Sequence, residues 1–275
     1  MSRLAVRKTY KLFIGGAFPR SESGRSYEVT TAKGEFVANA ARASRKDARD
    51  AVVAARKAFP GWSGATPYNR GQILYRVAEM LEGRRAQFAE ELGGPKKAAA
   101  EQVDAAVDKL VWYAGWADKI ASVHGAANPV AGPYFNLSTP EPTGVVAVVA
   151  PEDALLGLVA AVAPVIVTGN TAVVVASERN PLPSITFAEV LATSDLPGGV
   201  VNILTGQQGE IAPWLAAHMD VNGLDLGGVS DADLALTCER AAAENLKRVL
   251  RADAEGLSRM TRFLEIKTVW HPAGI

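Results

Sequence analysis

Between Gly144 and Ala150 the chain is apolar without a break and dominated by valine, and no other feature constrains its fold as much. A strand with one face in water alternates apolar with polar residues, so a continuous apolar strand must be covered on both faces, as in a parallel sheet. Similar runs recur at Ala172 to Ala176, at Val200 to Leu204 and, more weakly, at Gly223 to Leu226, spaced 23 to 28 residues apart. Helix-compatible segments fill the gaps: Leu155 to Thr168, Pro183 to Ala192, Glu210 to His218 and Asp231 to Leu246. Strand, helix and strand at that spacing predict a doubly wound α/β sheet. The most apolar stretch, Leu155 to Val167, is too short for a membrane span.

Upstream, the pattern is helical after an extended opening at Lys11 to Ile14 and a turn at Gly15-Gly16. Ser44 and Asp47 have capping-box spacing ahead of an apolar face of Ala48, Ala51, Val52, Ala55 and Phe59, and Pro60-Gly61 should stop that helix. Thr66-Pro67 opens a second helix lined by Ile73, Leu74, Val77, Ala78 and Leu81, and Gly93-Gly94-Pro95 ends the run. A third helix, from Ala98 to Ile120, carries Val103, Val107, Leu110 and Ala114 as its core stripe. The polar arm Asn136 to Glu141 leads into the sheet, and Arg262 to Trp270 alternates as a strand should.

Composition narrows the partners. Lysine plus arginine equals aspartate plus glutamate at 29 each, so no net field draws the chain to nucleic acid or to an anionic membrane. The single cysteine, Cys238, excludes an internal disulfide and a multi-cysteine metal site, which fits a cytoplasmic protein. Met1 to Tyr10 lacks the apolar core of a signal peptide.

Seven segments, in order, resemble aldehyde dehydrogenases: Lys57 to Ser63, Tyr113 to Ile120, Glu141 to Val146, Gly169 to Val174, Asp195 to Asn202, Asn245 to Val249 and Glu265 to Trp270. The resemblance implies a Rossmann-type doubly wound parallel sheet with N-terminal helices and a small β oligomerisation arm. On that reading residues 1–123 form the helical part of the cofactor domain, 124–143 an oligomerisation hairpin, 144–250 the Rossmann-like NAD(P)-binding-type domain, and 251–275 a linker and C-terminal oligomerisation strand. The family's chemistry is attack by a cysteine thiolate followed by glutamate-assisted hydrolysis. Here Val249-Leu250 is followed by Arg251-Ala252-Asp253-Ala254-Glu255-Gly256 and then by the last strand, so neither the nucleophile nor its base has a counterpart. Cys238, on a helix four residues from Leu234 and from Ala242, reads as a buried thiol and not as a substitute nucleophile.

The resemblance also implies where NAD or NADP, if either binds, would sit: at Pro151, Asp153, Glu178, Gly206 and Gly228. That site departs from the family's pattern in three places. Pro-Trp-Asn becomes Pro151-Glu152-Asp153, placing carboxylates where an asparagine helps to stabilise an oxyanion. Lys-Pro-x-Glu becomes Val175-Ala176-Ser177-Glu178, keeping the glutamate and losing the lysine. Phe-Thr-Gly-Ser becomes Leu226-Gly227-Gly228-Val229, which removes the hydroxyl that opens the next helix; Ser230 is a candidate replacement cap, and the backbone amides can still hold an anion. The cofactor site therefore reads as vestigial.

The retained arm points to a partner. In the family the arm pairs with the catalytic-domain sheet of a neighbouring subunit, so the expected partner is a full-length aldehyde dehydrogenase, bound through Arg262 to Trp270, with this chain as a non-catalytic structural or regulatory subunit. Two other readings stay open: an NAD(P)-dependent oxidoreductase acting on aldehydes with a relocated or partner-completed active site, and a homo-oligomer that pairs its arms.

Overall fold

A computed structural model describes residues 8–31, 33–251 and 255–274 of the 275-residue chain. The signal-peptide reading of residues 1–10 falls largely on 1–7, and the Ala252-Asp253-Ala254 comparison on 252–254; both lie outside the described residues.

The N-terminal region departs first from expectation. Short strands β1 (Thr9–Tyr10), β2 (Ser26–Thr30) and β3 (Phe36–Ala41) form a sheet in the order β1-β3-β2. Only an extended stretch at Lys11 to Ile14 was expected. Phe13 instead makes a bridge to Ile203, and Ile14 and Ala17 close the turn at Gly15-Gly16. Helix α1 (Arg45–Gly64) starts at the expected capping box, with the Ser44 side chain accepting from the Asp47 amide and Asp47 accepting from the Ser44 amide. It does not stop at Pro60. The proline forfeits one backbone bond, but the next turn is anchored by the buried Trp62, whose indole donates to the Ile166 carbonyl at 2.8 Å.

Helix α2 (Pro67–Glu82) opens with Thr66 as its cap and Pro67 in its first turn. Helix α3 (Arg85–Leu92) follows, and the expected third helix is divided into α4 (Lys96–Trp116) and α5 (Ile120–His124). Strands β4 (Ala126–Asn128) and β5 (Tyr134–Pro142) then form the arm hairpin.

From Val145 the main sheet is built in sequence: β6 (Val145–Val149), α6 (Leu156–Val167), β7 (Thr171–Val175), α7 (Leu182–Ala192), β8 (Val201–Leu204), α8 (Gln208–Ala217), β9 (Gly223–Asp225), α9 (Ala232–Ala243) and β10 (Arg248–Leu250). The strands are parallel in the order β10-β9-β6-β7-β8, the doubly wound arrangement that the valine runs predict. Successive residues feed opposite cores. Val146, Val148, Ala172 and Val174 join the layer with α6 and α4, whereas Val145, Ala147, Val149, Val173 and Val175 join the layer with α1 and α8.

The stretch read as a linker contains a helix, α10 (Gly256–Thr261), leading into β11 (Leu264–Pro272). Met260 and Phe263 are buried in the core shared with α6, and Phe263 lies so close to the start of β9 that a Cβ on Gly223 would stand 2.6 Å from its ring. Arg259 forms a buried ion pair with Asp225 at the end of β9. This joint aims β11 at the hairpin, giving a second three-stranded sheet in the order β11-β5-β4. No helix among the described residues is long and apolar enough to cross a membrane.

Candidate functional site

Strand order reverses between β6 and β9, and in open α/β sheets ligands bind outside the carboxyl ends of the strands at such a point. All five sequence-derived candidates lie on the loops at that end, but the contacts that dominate there are internal.

Pro151 and Asp153 follow β6 and face the start of α6. A Cβ on Gly157 would meet the Pro151 ring at 2.5 Å and the Asp153 Cβ at 3.1 Å, so the first turn of α6 is pressed against this loop. The Asp153 carboxylate carries a buried oxygen, Oδ1, without a hydrogen-bond partner. The neighbouring Glu152 accepts a hydrogen bond from the Ser177 hydroxyl at 2.7 Å, tying the loops after β6 and β7 together, and Ser177 also accepts from the Asn180 amide at 3.0 Å.

Glu178 does not point to an open ribose site. Its Oε1 accepts from the Gln208 amide at the first residue of α8, so the carboxylate serves as the helix's N-terminal partner. The buried Gln208 side chain reaches back over the strand ends toward the Ala150 carbonyl at 3.4 Å. Gly206 adopts φ +139°, and its loop runs against Ala43, whose amide would lie 3.1 Å from an added Cβ. Beside it the Tyr27 hydroxyl is pushed up from the ordinary tyrosine range by burial, and then by the charges of Glu178 and Glu152.

Gly228 donates its amide to the Val149 carbonyl at 3.1 Å, and a side chain there would run into the Ala150 backbone at 2.3 Å. Its amide is therefore consumed in closing β9 against β6. The expected Ser230 cap is not formed. Asp231 takes that place, accepting from the amides of Asp233 at 2.9 Å and Leu234 at 3.3 Å, since its carboxylate is a better acceptor for two helical amides than a hydroxyl one residue earlier. At the tip of β9, Asp225 accepts from the Gly227 amide at 2.9 Å as well as from Arg259.

Anion binding at a doubly wound sheet depends on free amides at helix starts. Here the Gln208 amide of α8 is held by Glu178, the Asp233 and Leu234 amides of α9 are held by Asp231, and Asp153 lies against the first turn of α6. The residues present do not fit an anionic dinucleotide. Sequence reasoning missed Tyr27, Gln208, Asp225 and Arg259. A buried aspartate and arginine 34 residues apart give no local signal, and Gln208 is significant only through its place opposite Glu178.

Cys238 is fully buried on α9, and burial pushes its thiol up to about 11, with the charge of Glu239 adding to the effect. It is a neutral thiol, without the thiolate character a nucleophile needs. Among the described residues no group of three His, Cys, Asp or Glu side chains converges as metal ligands.

Comparison with known proteins gives one family. The aldehyde dehydrogenase family model matches residues 18–253. Retinal dehydrogenase 2 of Mus musculus is 35% identical over 252 residues, covering 88% of this chain and 48% of that protein. The putative aldehyde dehydrogenase DhaS of Bacillus subtilis (strain 168) is 31% identical over 253 residues, covering 89% and 50%. Among solved structures, an NAD+ complex of aldehyde dehydrogenase from Bacillus cereus superposes with a TM-score of 0.81 at 26% identity, covering 88% of this chain and 50% of that one. PnpE in complex with nicotinamide adenine dinucleotide gives 0.82 at 28% identity, covering 87% and 50%. The chain spans about half the length of the curated relatives it matches.

Proposed function

The chain belongs to the aldehyde dehydrogenase family, and from that membership we propose that it acts as a non-catalytic structural or regulatory subunit, in the cytoplasm, of a hetero-oligomer with a full-length aldehyde dehydrogenase. The observation that carries the reading is the free edge of β11.

Two bonds flank the ladder between β5 and β11: the Thr143 amide donates to the Phe263 carbonyl and the Ala273 amide to the Pro133 carbonyl. In an antiparallel pair, hydrogen-bonded and non-hydrogen-bonded positions alternate. The unbroken register between those bonds therefore turns the odd-numbered residues of β11 toward β5 and leaves the amides and carbonyls of Leu264, Ile266, Thr268 and Trp270 facing outward. Pro140 and Pro142 fit the same count, because their missing N–H groups fall on positions that β11 does not use. A strand edge of nine residues, exposed at all but Leu264 and bearing Ile266 at 54% and Trp270 at 59% exposure, is a template for strand addition.

In the family the arm is received by the cysteine-bearing domain of a neighbour. Here β10 passes through α10 straight into β11, which supports an arm that is donated to another protein and not exchanged reciprocally. The occupied helix starts and the neutral Cys238 support a role without cofactor turnover. Isothermal titration of NAD and NADP into the pure chain, beside a nicotinamide-dependent aldehyde assay, tests that half of the reading. No heat of binding and no turnover are expected. Saturable binding with turnover would replace the proposal with an oxidoreductase.

A further inference from the structure

The outward edge of β11 has a second property, which concerns the chain alone. Strand β11 runs from Leu264 to Pro272, and its midpoint is Thr268. We infer that two copies of the chain pair β11 with β11, antiparallel about a twofold axis at Thr268, and that this homodimer is the resting form of the arm when no other partner is bound. The inference goes beyond the hetero-oligomer and stands whether or not that complex forms.

Three observations converge on this register. The first is backbone parity. An axis at Thr268 places Thr268 opposite its copy, Ile266 opposite the copy's Trp270, and Leu264 opposite the copy's Pro272. All of these are residues whose backbone groups face outward, so outward donors meet outward acceptors. An axis midway between two residues would instead set outward-facing residues against positions already bonded to β5. Pro272 has no N–H, yet it sits at the strand end, where only its carbonyl is required.

The second observation is side-chain complementarity on both faces. Ile266 meets the exposed indole of Trp270, an aromatic and β-branched pair, twice across the axis. On the other face Glu265 meets His271, also twice, and Lys267 meets Val269. Like charges are nowhere opposite. The third is that the arm is pre-organised. Tyr134 packs edge-on against Trp270 with ring centroids 5.9 Å apart, the Thr268 hydroxyl is hydrogen-bonded to Ser138 at 2.8 Å, and Lys267 is paired with Glu141 at 3.1 Å, so the strand need not be ordered on binding.

The contact is narrow for an interface, so a weak dimer is expected, forming and dissociating across the micromolar range. It uses the edge offered to an aldehyde dehydrogenase, and the two assemblies exclude one another.

Cross-linking of one introduced cysteine, with Cys238 left in its buried position, tests the register on the full chain. At the axis the two copies of residue 268 stand about 5.5 Å apart at Cα, within disulfide range, whereas copies of residue 267 are offset along the strands to more than about 7 Å. Thr268→Cys should therefore form a covalent dimer under mild oxidation about tenfold faster than Lys267→Cys. The unsubstituted chain, with Cys238 buried, should form none. Thr268→Pro removes the outward-facing N–H and the hydroxyl bonded to Ser138 but no backbone bond to β5, so it should give a monomer in analytical ultracentrifugation with an unchanged circular dichroism spectrum. A chain that stays monomeric throughout the micromolar range, or that cross-links no faster at 268 than at 267, overturns the inference. A cross-linking dimer that none of the organism's aldehyde dehydrogenases displaces leaves it standing and removes the hetero-oligomer; a monomer that binds one of those enzymes does the reverse.

Discussion

Removing the Asp225 carboxylate should loosen the joint that carries β11. Asp225 is 0% exposed and Arg259 9%, so Asp225→Ala removes a buried carboxylate from beside the guanidinium and also frees the Gly227 amide. Breaking one side of a buried pair costs about 3–5 kcal/mol, to which the lost amide bond adds about 1 kcal/mol. Because total stability is about 5–15 kcal/mol, this is a large fraction of it. With a urea slope of about 3 kcal/mol per M, the midpoint should fall by more than about 1 M. Replacing both partners by apolar residues, Asp225→Leu with Arg259→Met, removes the buried cation together with its carboxylate and should recover most of the loss. The assay is urea unfolding followed by fluorescence, completed as a double-substitution cycle. A loss below about 1 kcal/mol for Asp225→Ala, or a double variant as unstable as the single ones, would refute the assignment of this pair as the anchor of α10.

Other predictions concern the strand ends and the buried thiol. Glu178→Ala should lower stability by about 1 kcal/mol, the worth of a helix N-terminal partner, without changing the response to NAD; thermal melts with and without the dinucleotide check both outcomes. Gly228→Ala should destabilise severely, because the new methyl would meet the Ala150 backbone at 2.3 Å, and the same melts measure it. Cys238 should resist a thiol-specific disulfide reagent at pH 8 until the chain is unfolded. Its folded-state value of about 11 lies above the ordinary 9, so its contribution to stability is fully present below pH 9 and is lost between about pH 9 and 11 as the unfolded state gives up its proton first. Tyr10 and Tyr113, pushed up to about 12 from 10 mainly by burial, act in the same direction at higher pH. Cys238→Ala should flatten the first part of that alkaline decline in urea-unfolding measurements.

Much of the sheet was legible because its signal is local. The valines of β6 and β7 lie in unbroken runs, and no other placement buries both of their faces. The capping boundaries at Ser44 and Thr66 were legible for the same reason, since each is encoded within four residues. Strands β2 and β3 were missed because their burial is sparse. In β2 only Val29 is fully buried, among polar neighbours, and β3 has an alanine-rich stretch that suits a helix as well. Pro60 misled because its cost to α1 is offset by the long-range bond of Trp62 to Ile166. At the strand ends the residues were identifiable, but their roles were not. Glu178 is as plausible a ribose ligand as a helix cap until Gln208 is placed against it, and the joint of Asp225 with Arg259 exists only in three dimensions.

The most direct test of the subunit role is native mass spectrometry of the chain co-expressed, in turn, with each full-length aldehyde dehydrogenase of its organism. A complex whose mass is the sum of both proteins, and which is lost when the chain carries Thr268→Pro, is the predicted result. The chain appearing only as monomer or homodimer beside every one of those enzymes would contradict the role.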